Sequence, residues 1–387
     1  MMTMGRTAGL LMLSTAALAC SGRYEVGGMD AAAGSGAGGT LAVGGTAAAS
    51  GTTSGFAGNS GVGGGGTNSA GDGMPVDEFG PQCVPTGAPA PLTGAFAQPP
   101  VVWSRVAMLI WGKPGPAPAP FPATTTYAWA GDLVDLGFAD AKATLNSAPG
   151  ARLFVAQWLD LGLDFGVDPK FLGDYDSSLP TTSTALAVLL QGSLGEPGRA
   201  GVFTEPQWLT RHSSIPSRGS GLLAKLTGQM IPPPPAGVQK PEPDPTMTDR
   251  ESIEQRTSTQ PVCKACHQLM NHAGFALGNF AADASYRLVD HDQPVDTTGS
   301  MAVGSEMVMF DGMADLSDQL VDKCQPNLAL VDAFLRIAII LAGFPQQQQE
   351  SLFQGSVDRV RQSFIAGGRS YPALVKAFAQ SPAVLRP

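Results

Sequence analysis

Cys263, Lys264, Ala265, Cys266 and His267 stand consecutively, two thiols three positions apart with an imidazole on the next residue. The segment that carries them has to present both thiols and the imidazole to one partner, and the chain around it has to leave room for that partner. With 5 cysteines and 4 histidines in 387 residues, such a run arises by chance in roughly one chain in a thousand. Each thiol can form a thioether to a vinyl group of haem, and the adjacent histidine is placed to ligate the iron. The pattern therefore points to one covalent haem c, with Cys263 and Cys266 as attachment points and His267 as proximal iron ligand.

Two other uses of the pattern compete. A redox disulfide at Cys-x-x-Cys expects a βαβ context, and no such strand pattern precedes Cys263. A zinc site needs four ligands, and the nearest further candidates, His272 and His291, do not repeat the paired spacing of a zinc finger or ribbon.

The first nineteen residues carry one charged side chain, Arg6, and an apolar run from Ala8 to Ala19 that ends at Cys20. The run is shorter than the about 18 apolar residues of a membrane span and reads as a secretory signal peptide. Small residues before Cys20 give it the form of a lipoprotein signal, in which Cys20 is acylated. Ala17 stands where such signals usually carry leucine, so ordinary cleavage to an exported product without a lipid is the alternative. Ser21 is not the aspartate that retains lipoproteins in the inner membrane, which makes an outer-membrane lipoprotein, facing the periplasm or the cell surface, the expectation. Export also supplies the compartment in which haem c is attached. From Gly22 to Gly73 the chain is dominated by Gly, Ala, Ser and Thr, too poor in apolar area to offset its chain entropy, and the expectation is a disordered tether with a reach of roughly 40 Å.

The net charge of −9 and pI near 4.9 come with no basic patch and argue against nucleic acid. Past the tether the pattern is mostly α-helical. Apolar residues recur at three- and four-residue spacing over Val101–Trp111, Tyr127–Leu145 and Ala151–Leu161, and again over Met313–Lys323, Leu328–Ala342, Glu350–Ile365 and Tyr371–Ala379. The most apolar stretch, Leu328 to Phe344, contains Asp332 and Arg336 and reads as a buried helix. Pro232 to Pro235, followed by Pro241, Pro243 and Pro245, forms a semi-rigid spacer. The predicted organisation is a signal peptide (1–19), a disordered low-complexity tether (20–76), a helical domain (77–198), a cytochrome-c-like haem-binding domain (199–301) and a C-terminal helical domain (302–387).

Within that frame a series of short motifs occurs in order: Arg199 to Thr204, Ser213 to Gly219, Pro232 to Pro235, Thr248-Asp249-Arg250-Glu251 with Glu254, the haem motif, Met270, Gly274 to Leu277, Tyr286-Arg287 and Asp296 to Gly299. The series resembles the planctomycete-type cytochrome c family, exported multi-domain proteins with a single Cys-x-x-Cys-His segment flanked by domains of unknown function. The C-terminal helices and, more loosely, Trp103 to Leu161 resemble the domains that flank it. The chain departs from the family pattern at Asn271 and His272, where Met-Asp-Pro is usual. It departs also at Gly278, Ala281 and Ala284, and at Arg256, which replaces a histidine and is a candidate partner for a haem propionate. The resemblance implies a cytochrome without implying a substrate.

The opposite face of the iron decides what such a site does. A methionine or histidine there closes the site for electron transfer, whereas an open position admits peroxide or another small ligand. Met301, Met307, Met309 and Met313 are the candidate distal ligands. Met270 follows His267 too closely to reach the far face and is expected to pack under the ring, and His272 and His291 are weaker candidates. Cys83 and Cys324 remain as a candidate disulfide, with two buried thiols as the alternative. Asp160, Asp164, Asp168, Asp174 and Asp176 lack the spacing of a calcium loop, and His212 beside Ser213 and Ser214 lacks an acid partner. The expected function is electron transfer by a haem c protein with a redox partner protein. A peroxidase-like oxidoreductase and a surface lipoprotein with a vestigial haem motif are the alternatives.

Overall fold

The computed structural model describes Cys83 and residues 89–113, 120–140, 149–161, 184–191, 199, 201–233, 242–258 and 261–387. The signal peptide with Cys20, the tether, most of the Pro-rich spacer and Asp164 to Asp176 lie outside the described residues.

Fourteen α-helices are present among the described residues. Before the haem motif come α1 (Pro99–Trp111), α2 (Tyr127–Asp140), α3 (Pro149–Trp158), α4 (Ala185–Gln191), α5 (Pro206–Arg211), α6 (Ile215–Thr227) and α7 (Asp249–Ser258). The motif lies on α8 (Pro261–Gly274). Two hairpins follow, β1 (Val289–Asp290) with β2 (Gln293–Pro294), and β3 (Thr298–Val303) with β4 (Glu306–Asp311). The chain closes with α9 (Gly312–Leu320), α10 (Cys324–Leu341), α11 (Gln346–Gln354), α12 (Val357–Ala366), α13 (Tyr371–Ala379) and α14 (Pro382–Leu385).

The ends of these helices follow from their residues. Proline opens α1, α5, α6 and α13, where its missing N–H has no intrahelical partner to lose. Gly112 and Gly228 close α1 and α6 with φ of 66° and 71°, the left-handed backbone of a helix C-terminus. Thr248 and Glu251 form a capping box ahead of α7: the Glu251 carboxylate accepts from Thr248 N at 3.1 Å, and Thr248 Oγ1 accepts from Glu251 N at 3.2 Å.

A main core runs through the described residues, with Ile215, Ile253 and Phe275 as a second, small cluster. Phe154 of α3 meets Phe334 of α10 at 5.3 Å between ring centres, and Phe334 meets Tyr371 of α13 at 6.0 Å. Tyr371 donates its buried hydroxyl to the Leu109 carbonyl of α1 at 3.0 Å. Helices from 77–198 and from 302–387 thus share a core, and the 301/302 boundary runs through strand β3, whose Met301 pairs with Val308. Helix α10 is long and apolar enough to cross a membrane, yet most of it is buried inside the protein. Its Asp332 accepts two bonds from Arg361 of α12, at 2.8 and 2.6 Å. The carboxyl is nevertheless pushed above its ordinary range by burial, which outweighs the guanidinium.

Two elements depart from the sequence reading. The helix expected over Glu350–Ile365 is two helices, α11 and α12, broken at Gly355 and Ser356, with Ser356 at φ −123°. The Ser356 hydroxyl then accepts from Ala383 N at 3.1 Å, tying the break to α14. The second departure is the β3–β4 hairpin, which was read only as a cluster of methionines. Gly299, Met301 and Val303 are buried and Ser300 and Ala302 less so, while Val308 and Phe310 alternate with exposed Met307 and Met309. This two-residue period is that of a strand pair with one face on the core. Gly304, at φ 63°, begins its two-residue turn.

Candidate functional site

Cys263, Cys266, His267 and Met270 fall at i, i+3, i+4 and i+7 of α8, one stripe of the helix. All four are half-buried, whereas Lys264, Ala265 and Gln268 on the remaining surface are exposed. Cys263 and Cys266 are not joined in a disulfide. The stripe carries two sulfurs, an imidazole and a thioether side by side.

The position of that stripe is set by unusually close packing of α8 against α6. A Cβ on Gly219 would lie 1.7 Å from the Met270 carbonyl oxygen, and a Cβ on Gly274 would lie 2.1 Å from the Ile215 carbonyl oxygen. Each helix gives up a side chain where the other's backbone passes, so the contact tolerates glycine alone. Arg218, next to Gly219, is 2% exposed. Its guanidinium donates to the carbonyls of His212 at 2.9 Å, Leu277 at 3.1 Å, Ala281 at 2.7 Å, and also Phe280. Burial lowers its pKa to about 10, which still leaves it charged at neutral pH. The motif Arg218-Gly219 therefore clamps the chain leaving α8.

Helix α7 also packs on α8 and is held by its own set of contacts. Arg250 lies over the Phe275 ring at 3.9 Å and donates to the Thr298 carbonyl at 2.7 Å. The buried Asp290 carboxylate accepts from Asp249 N at 2.7 Å, from Arg287 at 2.8 Å and faces His291 Nδ1 at 3.0 Å. Asp290 also raises the pKa of His291 above its ordinary value, chiefly by that hydrogen bond.

Thr257, on the last turn of α7, completes a hydrogen-bond relay to His267. Thr257 Oγ1 donates to the Ile253 carbonyl at 2.7 Å, Asn271 Nδ2 donates to Thr257 Oγ1 at 3.0 Å, and Asn271 Oδ1 lies 3.2 Å from His267 Nδ1. A carbonyl can only accept, so the polarity of the whole chain follows from Ile253. The Thr257 hydroxyl must donate to it, the Asn271 amide must donate to Thr257, and the oxygen of Asn271 must face the histidine. His267 Nδ1 is then the donating nitrogen, and in the neutral ring Nε2 keeps the lone pair. Asn271 is 3% exposed and Thr257 7% exposed, so the bond between them is buried, while the one to the half-buried His267 is partly so.

The other sequence candidates have different places. Met301 and Met313 are 2% and 4% exposed and belong to the core, whereas Met307 and Met309 stand on the outer face of the β3–β4 hairpin, 60% and 65% exposed. His272 Nδ1 meets Ser300 Oγ at 3.2 Å. His291 uses both ring nitrogens, on Asp290 and on the Pro245 carbonyl at 3.0 Å. Arg256 Nε donates to the Ser252 carbonyl at 3.0 Å within α7. His212 Nδ1 faces Ser217 Oγ at 3.0 Å and its ring lies 4.4 Å from that of Trp208, and burial lowers its pKa. Cys83 and Cys324 form a disulfide with Cα atoms 4.8 Å apart. No group of three or more His, Cys, Asp or Glu side chains gathers into a metal site among the described residues. Thr257 belongs to none of the sequence motifs, and Asn271 enters them only as a departure from the family pattern. The four-residue spacing from His267 to Asn271 was available in the sequence, but the partnership with Thr257 needed the packing of two helices.

Residues 199–290 match the family model PSCyt3, a protein of unknown function (DUF1588), a domain family associated with planctomycete cytochromes c. The matched span runs from the residues before α5 through α8 to β1 and stops before the β3–β4 hairpin. No curated protein matches the chain, and no solved structure does.

Proposed function

We propose that this chain is an exported haem c protein that moves electrons in the periplasm or at the outer membrane, held there through acylated Cys20. Cys263 and Cys266 would carry the thioethers and His267 Nε2 would be the proximal ligand. Bound haem would supply a one-electron iron couple. The observation that carries the reading is the relay from His267 through Asn271 and Thr257 to Ile253, which leaves Nε2 as the lone-pair nitrogen beside two thiols on the same helical stripe. Metal-bound histidines characteristically donate their other ring N–H to such a partner, which fixes tautomer and ring orientation.

Of the four downstream methionines, Met307 and Met309 are the remaining candidates for the distal position, because Met301 and Met313 could not leave the core without opening a cavity there. A redox partner protein is part of the reading.

The test is a pyridine haemochrome spectrum of full-length protein exported in a host with c-type maturation machinery, beside a Cys263→Ala, Cys266→Ala control. About one covalent haem per chain, absent from the control, is expected. Absence of covalent haem where a known cytochrome matures would sink the reading and favour a helical surface lipoprotein. A high-spin ferric spectrum that changes with peroxide would move the assignment to an oxidoreductase.

A further inference from the structure

We infer that Asn271 and Thr257 are a positioning pair that sets the electron donation of His267 by holding its Nδ1–H on a neutral acceptor. The inference rests on the haem reading and deepens it, since it concerns how readily a bound iron would be reduced rather than whether it binds.

Three observations carry it. The acceptor on His267 Nδ1 is an amide oxygen 3.2 Å away, uncharged and unable to take the proton. A carboxylate at that place would draw the proton, make the imidazole a stronger donor and favour ferric iron. An amide does so far less. Asn271 is locked in one of its two amide orientations because Thr257, bonded to the Ile253 carbonyl, can only accept from it. Were the amide turned over, its NH2 would face the Nδ1–H and the bond would be lost. Finally, both residues are almost fully buried, so the bond that fixes the Asn271 amide is shielded from solvent. Thr257 therefore acts on the iron site through Asn271 and His267 while belonging to a different helix.

The experiment uses the full-length exported protein and the variants Asn271→Asp, Thr257→Val and Thr257→Ser. For each, covalent haem per chain, midpoint potential and the ferric electron paramagnetic resonance spectrum are measured. All variants are expected to keep covalent haem. Asn271→Asp should favour ferric over ferrous iron and lower the midpoint potential, with about 59 mV for each tenfold change in that ratio. Thr257→Val should shift the potential and the ferric g-values, and Thr257→Ser, which keeps the hydroxyl, should restore both.

Haem-loaded Asn271→Asp and Thr257→Val proteins with wild-type potentials and spectra would overturn the pair's role and leave the cytochrome reading standing. Wild-type protein without covalent haem would overturn both. If a buried carboxylate at 271 prevents folding, the comparison of Thr257→Val with Thr257→Ser decides, because a merely structural role predicts different stabilities with the same potential.

Discussion

Arg218 is the residue whose charge does the most structural work near the haem motif. Its guanidinium satisfies four carbonyls, three of them in the stretch Leu277 to Ala281 that leaves α8. Replacing it with leucine of partly similar shape removes the donors and leaves those acceptors buried. Arg218→Leu should lower unfolding stability by about 3 kcal/mol, read from denaturant titration. A loss below about 1 kcal/mol would mean that water reaches the carbonyls. The methionines give an opposite expectation. Because Met301 and Met313 are core residues, Met301→Leu and Met313→Leu should each cost less than about 1.5 kcal/mol. Neither should change the visible spectrum of the haem-loaded protein, and a spectral change would return that residue to the list of distal ligands.

At the scale of elements, the crossing of α6 and α8 depends on two glycines that face each other's backbone. Gly219→Ala places a methyl 1.7 Å from a carbonyl oxygen, a contact that only displacement of a helix can relieve. The expected cost is at least about 2 kcal/mol, with a fall in covalent haem yield because the stripe on α8 moves with the helix. Thermal unfolding with haem quantification checks it, and unchanged values for both would show the crossing to be looser than described. The spacer segment at Pro245 is attached differently, through His291. The raised pKa of His291 means that the folded protein binds the proton more tightly than the unfolded chain. The stabilisation is thus fully present below the unfolded value of about 6.5 and is lost as pH rises through the higher folded value. Asp290, Asp249 and the guanidinium of Arg287 are the charged groups around it. Amide exchange at Thr246 to Thr248, corrected for its intrinsic pH dependence, should be more protected at pH 5.5 than at pH 8. His291→Asn, a residue that tolerates the φ of 47° at this position, should abolish the difference, and its persistence would assign the effect to another group.

For the whole molecule, the disulfide between Cys83 and Cys324 spans 241 residues and restrains most of the chain in its unfolded state. A Cys83→Ser, Cys324→Ser variant should lose about 2–4 kcal/mol while keeping its haem, since neither residue belongs to the site. Loss of haem together with stability would indicate that the N-terminal helices hold α8 in place. The route for such coupling is the main core, which joins α1 and α3 to α10 and α13, and α6, which packs on both α8 and α10.

The sequence alone determined the helical character of the chain and the position of the Cys-x-x-Cys-His segment, because both are read from local spacing, whereas the helix that carries the segment and the shared face of its residues came with the structure. The apolar rhythm that marked Tyr371–Ala379 is the same rhythm that buries Leu374, Val375 and Phe378 in the core. Only the tertiary structure decided what those elements do for one another. The break at Gly355 and Ser356 is stabilised by a bond to α14, and the inward face of the β3–β4 hairpin depends on α8 and α9 packing against it. The burial of Met301 and the exposure of Met307 and Met309 follow from which face of the hairpin meets the core, and Met313 is buried as part of α9. The polarity of the His267 relay is likewise a property of two helices in contact, since the carbonyl that dictates it lies on α7 and the imidazole it orients lies on α8.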